Sequence, residues 1–133
     1  MQAWHFPDEC QQKMYDVAVP KQYDMLFRSG CLILPFFKQA TPLLNPETLS
    51  SLNAFASIWC CIENILLAAT AEGLGACLRI PFEEESVHIA EVLHHPKDYI
   101  MPCYIALGHP SPDAVTIKQK GVNPQSKIHF NEW

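Results

Sequence analysis

Three histidines, His88, His94 and His95, crowd one short segment and are the first residues in the chain that could bind a metal or move a proton. On a helix, His88 and His95 would lie two turns apart and share a face. No cysteine or carboxylate completes a metal-ligand spacing around them, and there is no HExxH pattern. Solvated or helix-capping histidines are the simpler reading. Glu83, Glu84 and Glu85 open the same segment. They suit the positive end of a helix dipole better than an acid–base pair. Lys118 and Lys120, two apart in a polar stretch, would point the same way in an extended chain. They could hold a phosphate or simply be solvated. Gly73-Leu74-Gly75 is a weak signal alone, and no GxSxG, P-loop or GxGxxG occurs.

Six cysteines invite a disulfide reading that their positions do not support. Cys60 and Cys61 are adjacent in an apolar helical run, Cys31, Cys77 and Cys103 fall in strand-like runs, and Cys10 stands alone. With no CxxC pair, the expectation is buried free thiols acting as small apolar residues.

The elements that must position these residues centre on segment 45–82. Asn45 is a good N-cap, Pro46 suits the first helical position, and Glu47 favours the positive helix end. Gly73 supplies the stop. From Ile58 to Ala71 the run is apolar almost all round, so a helix here should be buried on every side, in part by a second subunit. Upstream, residues 7–24 read as one or two loose helical turns broken by Pro20. Residues 31–37 (CLILPFF) read as a short strand, with Pro35 placing it at an edge or a bulge. Residues 75–80 and 102–107 are further strands, and 83–95 is a short helix with Val87, Ala90, Val92 and Leu93 as its buried stripe. Residues 109–133 form a Pro- and Gly-punctuated extended tail suited to lying along another surface.

A chain of 133 residues is one domain by length, here 1–133 including that tail. The net charge of −5 and scattered basic residues argue against nucleic acid or an anionic membrane as partner. The apolar run 58–71 is short for a bilayer and contains Glu63 and Asn64, and no signal peptide is visible. These readings predict a soluble, cytoplasmic protein.

Several pieces in order resemble the C-terminal half of the nitroreductase family. They are Asn64 with Leu66, Leu67, Ala68 and Ala69; Gly73-Leu74-Gly75; Glu91-Val92-Leu93; and Ala106-Leu107-Gly108-His109-Pro110. The resemblance covers residues 54–133, with 31–37 as the preceding strand. Gln2, Trp4 and Phe6 also match the family's early N-x-Q-x-W-x-F pattern, with His5 a common companion. The pattern's asparagine would fall just before Met1. The resemblance therefore implies a member lacking the N-terminal portion, where the family carries an arginine cluster for the flavin phosphate.

The resemblance implies an α+β fold, with a short mixed or antiparallel sheet packed against a long central apolar helix in a homodimer. It implies FMN as cofactor, NAD(P)H as donor, and a nitroaromatic, quinone or similar acceptor, with the flavin carrying the chemistry and no catalytic side chain. Cofactor contacts would fall on Gln2, on the ribbon Leu78, Arg79, Ile80 and Pro81, and on Lys118 and Lys120, where the family more often has arginine at the second place. Arg79 has two candidate partners, the flavin or a glutamate among Glu83, Glu84 and Glu85. Two other readings stand beside the enzyme: a relic that folds and dimerises but holds little or no flavin, and a non-enzymatic small-ligand module on the same fold.

Overall fold

The computed structural model describes residues 9–114 and 123–132. Helix α1 (Glu9–Arg28) leads into strands β1 (Cys31–Ile33) and β2 (Phe37–Lys38). A 3-10 turn (Leu49–Leu52) runs into the central helix α2 (Asn53–Ala71), followed by β3 (Gly75–Arg79), α3 (Glu83–Leu93), β4 (Tyr99–Ile100) and β5 (Tyr104–Gly108). A second 3-10 turn (Pro124–Lys127) lies in the expected tail segment.

The main sheet has order β1-β5-β3 and is antiparallel throughout. Ile33 and Leu78 both sit opposite Ile105, so the three share one face. That face meets α2, and the core forms there around Ile62, Cys103 and Ile105, with Ile58, Trp59, Ile65 and Leu66 packed against it. Arg79 sits opposite Tyr104, one residue along each strand, which turns both to the other face.

Four expectations from the sequence need correction. First, α1 runs unbroken through Pro20. Proline removes one helical hydrogen bond and crowds one carbonyl. Side-chain bonds one turn apart brace the helix on either side, with Gln12 Nε2 donating to Asp16 Oδ1 at 3.0 Å and Arg28 Nη1 to Asp24 Oδ2 at 3.5 Å.

Second, the central helix does not begin at Asn45. Residues 45–48 form turns, and the 3-10 turn and α2 follow. The competing feature is Gln39, only 8% exposed. Its Nε2 donates to Thr41 O at 2.8 Å and to Ser51 O at 3.4 Å, tying the loop to the strand behind it. Ser51 N–H and its hydroxyl both donate to Thr48 O, a local arrangement that favours a tight turn over an α-helical start. The continuous helical segment Leu49–Ala71 is thus 23 residues, long and apolar enough to cross a membrane by length and composition, unlike the shorter run expected. The core helix of a soluble protein can pass the same test.

Third, the stripe expected to be buried on α3 is not, with Val87, Val92 and Leu93 58%, 59% and 45% exposed, while α2 leaves open within one chain a flank that the expectation gave to a second subunit. Ile62 and Ala69 are the buried residues of α2, while Leu67 is 59% exposed and Cys60 and Cys61 face outward. Fourth, the thiols are mostly not core residues. Cys103 is fully buried, but Cys31, Cys60, Cys61 and Cys77 are exposed and free. Cys77 lies on the sheet face away from α2, and Cys60 and Cys61 are exposed on α2, whereas Cys31 shares the face of Ile33 but sits at the open end of an edge strand.

The strand expected over residues 31–37 is two strands in different sheets, and Pro35 lies between them. Pairing breaks around it: β1 is an edge of the main sheet, and β2 joins β4 in a separate two-stranded sheet. Lys38 closes that pair by bridging to Asp98 at 3.1 Å.

Candidate functional site

Gly73 sets up the ribbon that follows α2. It has φ of 72°, the left-handed region that glycine enters without a Cβ clash. Leu74 N–H then donates back to Ala69 O at 2.9 Å, closing the helix end. The chain reverses into β3, which pairs with β5 and forms the other edge of the sheet. Along the ribbon the side chains diverge. Leu78 packs into the core, Arg79 is 3% exposed on the opposite face, Ile80 is 60% exposed and Pro81 is half-buried.

Arg79 is the best-held side chain of the region. Its Nη1 donates to Glu85 Oε2 at 2.7 Å and its Nη2 to Glu85 Oε1 at 2.8 Å, a two-pronged match between a planar cation and a carboxylate. Three aromatic rings surround the guanidinium: Tyr23 at 4.7 Å, Phe82 at 5.0 Å and Tyr104 at 5.6 Å from ring centre. Glu85 collects two further donors, Phe82 N–H at 2.9 Å and the Tyr23 hydroxyl. Burial works against its charge, but the bonds from Arg79, Tyr23 and Phe82 outweigh that and hold its carboxyl below the usual carboxylate range. The same bond to Glu85 pushes the Tyr23 phenol up, so it stays a donor. Of the two partners the sequence left open for Arg79, the guanidinium takes the glutamate.

This clasp defines what the ribbon can offer chemically. Between β3 and the Glu85-bound N–H of Phe82 lie only Ile80 and Pro81. Proline has no N–H. Ile80 therefore supplies the one peptide donor between two anchored points, on a residue largely open to solvent.

The histidines do not converge. Helix α3 ends at Leu93, and His94 caps it in the left-handed region with φ of 52°. His88 lies 3.7 Å from Glu91, and His95 stacks on Phe36 with ring centres 4.9 Å apart. The face expected for His88 and His95 requires a helix two residues longer. Among the described residues, no three His, Cys, Asp or Glu side chains form a metal-sized group. Gln2, Lys118 and Lys120 lie outside the described residues.

The sequence reading missed Tyr23, Tyr104 and Phe82. For Phe82 and Tyr104 a signal existed, since an N-cap beside Glu85 and the residue across from Arg79 follow once the strand pairing is assumed. Tyr23 had none, because it stands 62 positions from Glu85.

A three-stranded antiparallel sheet, a long helix laid across it and a glycine-stopped ribbon at the sheet edge make an α+β fold. The chain belongs to the nitroreductase family, whose model matches residues 2–109. It is also similar to a solved Bacteroides thetaiotaomicron protein provisionally named an NADH dehydrogenase/NAD(P)H nitroreductase, with 25% identity and a TM-score of 0.61. The alignment covers 83% of this chain and 60% of that one, so this chain spans somewhat under two thirds of that structure's length. No curated protein matches the sequence.

Proposed function

We propose that the chain is an FMN-dependent oxidoreductase that takes reducing equivalents from NAD(P)H and passes them to a nitroaromatic, quinone or similar acceptor, as a cytoplasmic homodimer. The observation that carries this reading is the anchored ribbon at residues 78–81, set within a chain that matches the family over residues 2–109.

The described residues suit the ring end of a flavin. Ile80 is 60% exposed beside the clasp, and in this reading its N–H is the donor that meets the ring edge. When bound, the flavin supplies the hydride chemistry itself. The chain's own part is to hold a donor at the ring edge and to keep charge away from it. Arg79 and Glu85 neutralise one another beneath the ribbon, so neither is free to act as acid or base. The phosphate end falls to Lys118 and Lys120, with Gln2 at the ring.

The homodimer is supported by α2. Its outward flank carries Leu67, Cys60 and Cys61 in the open. Covering each large apolar side chain there would gain about 1.5–3 kcal/mol. The second copy is the partner proposed to cover it.

The test is to purify the protein, look for flavin absorbance, and add FMN and then NAD(P)H. Flavin colour with NADH or NADPH oxidation supports the enzyme. A colourless protein that takes up no FMN rejects it and leaves the relic reading.

A further inference from the structure

The clasp is more elaborate than a strand end requires. An arginine that merely ended β3 could point to solvent, as Arg28 does at the end of α1, where its pair with Asp24 leaves both side chains mostly exposed. Arg79 is instead buried, and burying a charge is costly unless every donor is matched. The matching groups come from four places: Glu85 on α3, Phe82 at its start, Tyr104 on β5 and Tyr23 on α1. All of them close on the Arg79 side chain, with only Ile80 and Pro81 between β3 and Phe82.

The consequence is geometric. Glu85 binds Arg79 through both oxygens and the Phe82 N–H through one of them. The strand end and the first turn of α3 are thereby tied to the same carboxylate. Pro81 fixes one backbone angle between them. The peptide carrying Ile80 N–H thus lies between two tethered points, Arg79 and Phe82. Tyr23 adds a tie from α1 through its hydroxyl to Glu85 and its ring to Arg79.

We propose that Arg79, Glu85 and Tyr23 are positioning residues that aim the Ile80 N–H at the edge of the bound flavin ring, without touching the flavin themselves. This rests on the function proposed above and names how this chain orients the donor. Removing the partner that orients a metal ligand typically costs about ten- to a hundredfold in metal affinity, and a loss of about that size in FMN affinity is expected here.

The experiment compares wild type with Tyr23→Phe, Glu85→Gln, Arg79→Lys and the neighbouring exposed control Glu84→Gln. Three quantities are read: FMN affinity by fluorescence titration, the midpoint potential of bound FMN, and hydrogen exchange of the Ile80 amide in FMN-free protein. Tyr23→Phe and Glu85→Gln should speed Ile80 exchange, weaken FMN and shift its potential, whereas Glu84→Gln should do none of these. Arg79→Lys should fail to rescue, because an ammonium cannot grip both oxygens in a planar fork. Tyr23→Phe leaves the buried ion pair in place and keeps the test open if Glu85→Gln does not fold. Folded Tyr23→Phe protein with wild-type exchange, affinity and potential would overturn the positioning role while leaving the proposed function standing. Wild-type protein that binds no FMN would overturn both.

Discussion

Arg79 and Glu85, six residues apart, form a two-pronged ion pair with Nη1 to Oε2 at 2.7 Å and Nη2 to Oε1 at 2.8 Å, their side chains 3% and 18% exposed. Breaking such a pair from one side leaves the other charge buried and unmatched, which costs about 3–5 kcal/mol. Arg79→Met and Glu85→Gln should each fall near the lower end of that range in urea unfolding, since Glu85 keeps some contact with water. The double variant should lose clearly less than the sum of the two, because no orphaned charge remains. Additive losses would mean that the two side chains are energetically independent.

The same pair predicts a pH dependence with a definite sign. The folded carboxyl of Glu85 lies below its ordinary value, so its contribution is complete above the unfolded glutamate value of about 4.3. It is lost as pH falls through the folded value. The stability difference between wild type and Glu85→Gln should therefore be constant from about pH 7 to 5 and shrink below about pH 4. Asp98, held down by its hydrogen bond from Lys38, titrates in the same acid region. The difference between the two proteins, rather than the wild-type curve alone, is thus the informative measurement.

Some of this was legible in the residues. Gly73 marks a stop because no other residue turns left-handed as cheaply, and β3 and the start of α3 follow from it. Glu85 was within sight as a partner for Arg79, because a strand end and the first turn of the next helix must lie close. The start of α2 was misread because Asn45-Pro46-Glu47 is a strong local signal, while the hold of Gln39 on Thr41 and Ser51 is a tertiary one. Tyr23 could not be found at all. Its ring and hydroxyl reach Arg79 and Glu85 from a helix that Pro20 was expected to break. The two-residue strand β4 exists only because Phe37 and Lys38 lie opposite it, and no pattern that short is readable.

The proposed dimer makes a prediction about α2. Leu67→Glu places a charge on a side chain now 59% exposed, which a lone chain would tolerate. A covered interface would not. Sedimentation should show a dimer for wild type and a monomer for the variant. Thiol labelling gives a parallel check. Cys60 and Cys61 should react more slowly than Cys31 and Cys77 as protein concentration rises. Cys103 should react last, since burial pushes its thiol up to about 11. Equal rates for Cys31, Cys60, Cys61 and Cys77 at every concentration would argue against α2 as the contact.

The two lysines predict selectivity for a phosphate. A hydrogen bond to a charged group contributes about 1.5–3 kcal/mol, or roughly tenfold to a hundredfold in affinity. Replacing Lys118 and Lys120 with alanine should weaken FMN strongly and leave riboflavin, which lacks the phosphate, almost unaffected. Lys120→Arg should tighten FMN, because arginine adds a second aligned donor. An equal loss for both ligands would remove these lysines from the phosphate end.

Whether residues 78–81 meet a flavin is decided most directly by titrating the intact chain with FMN while following hydrogen exchange at Ile80. The predicted result is saturable, stoichiometric binding that slows exchange of the Ile80 amide. Binding that leaves this amide as exchangeable as before, or no saturable binding at all, would contradict it.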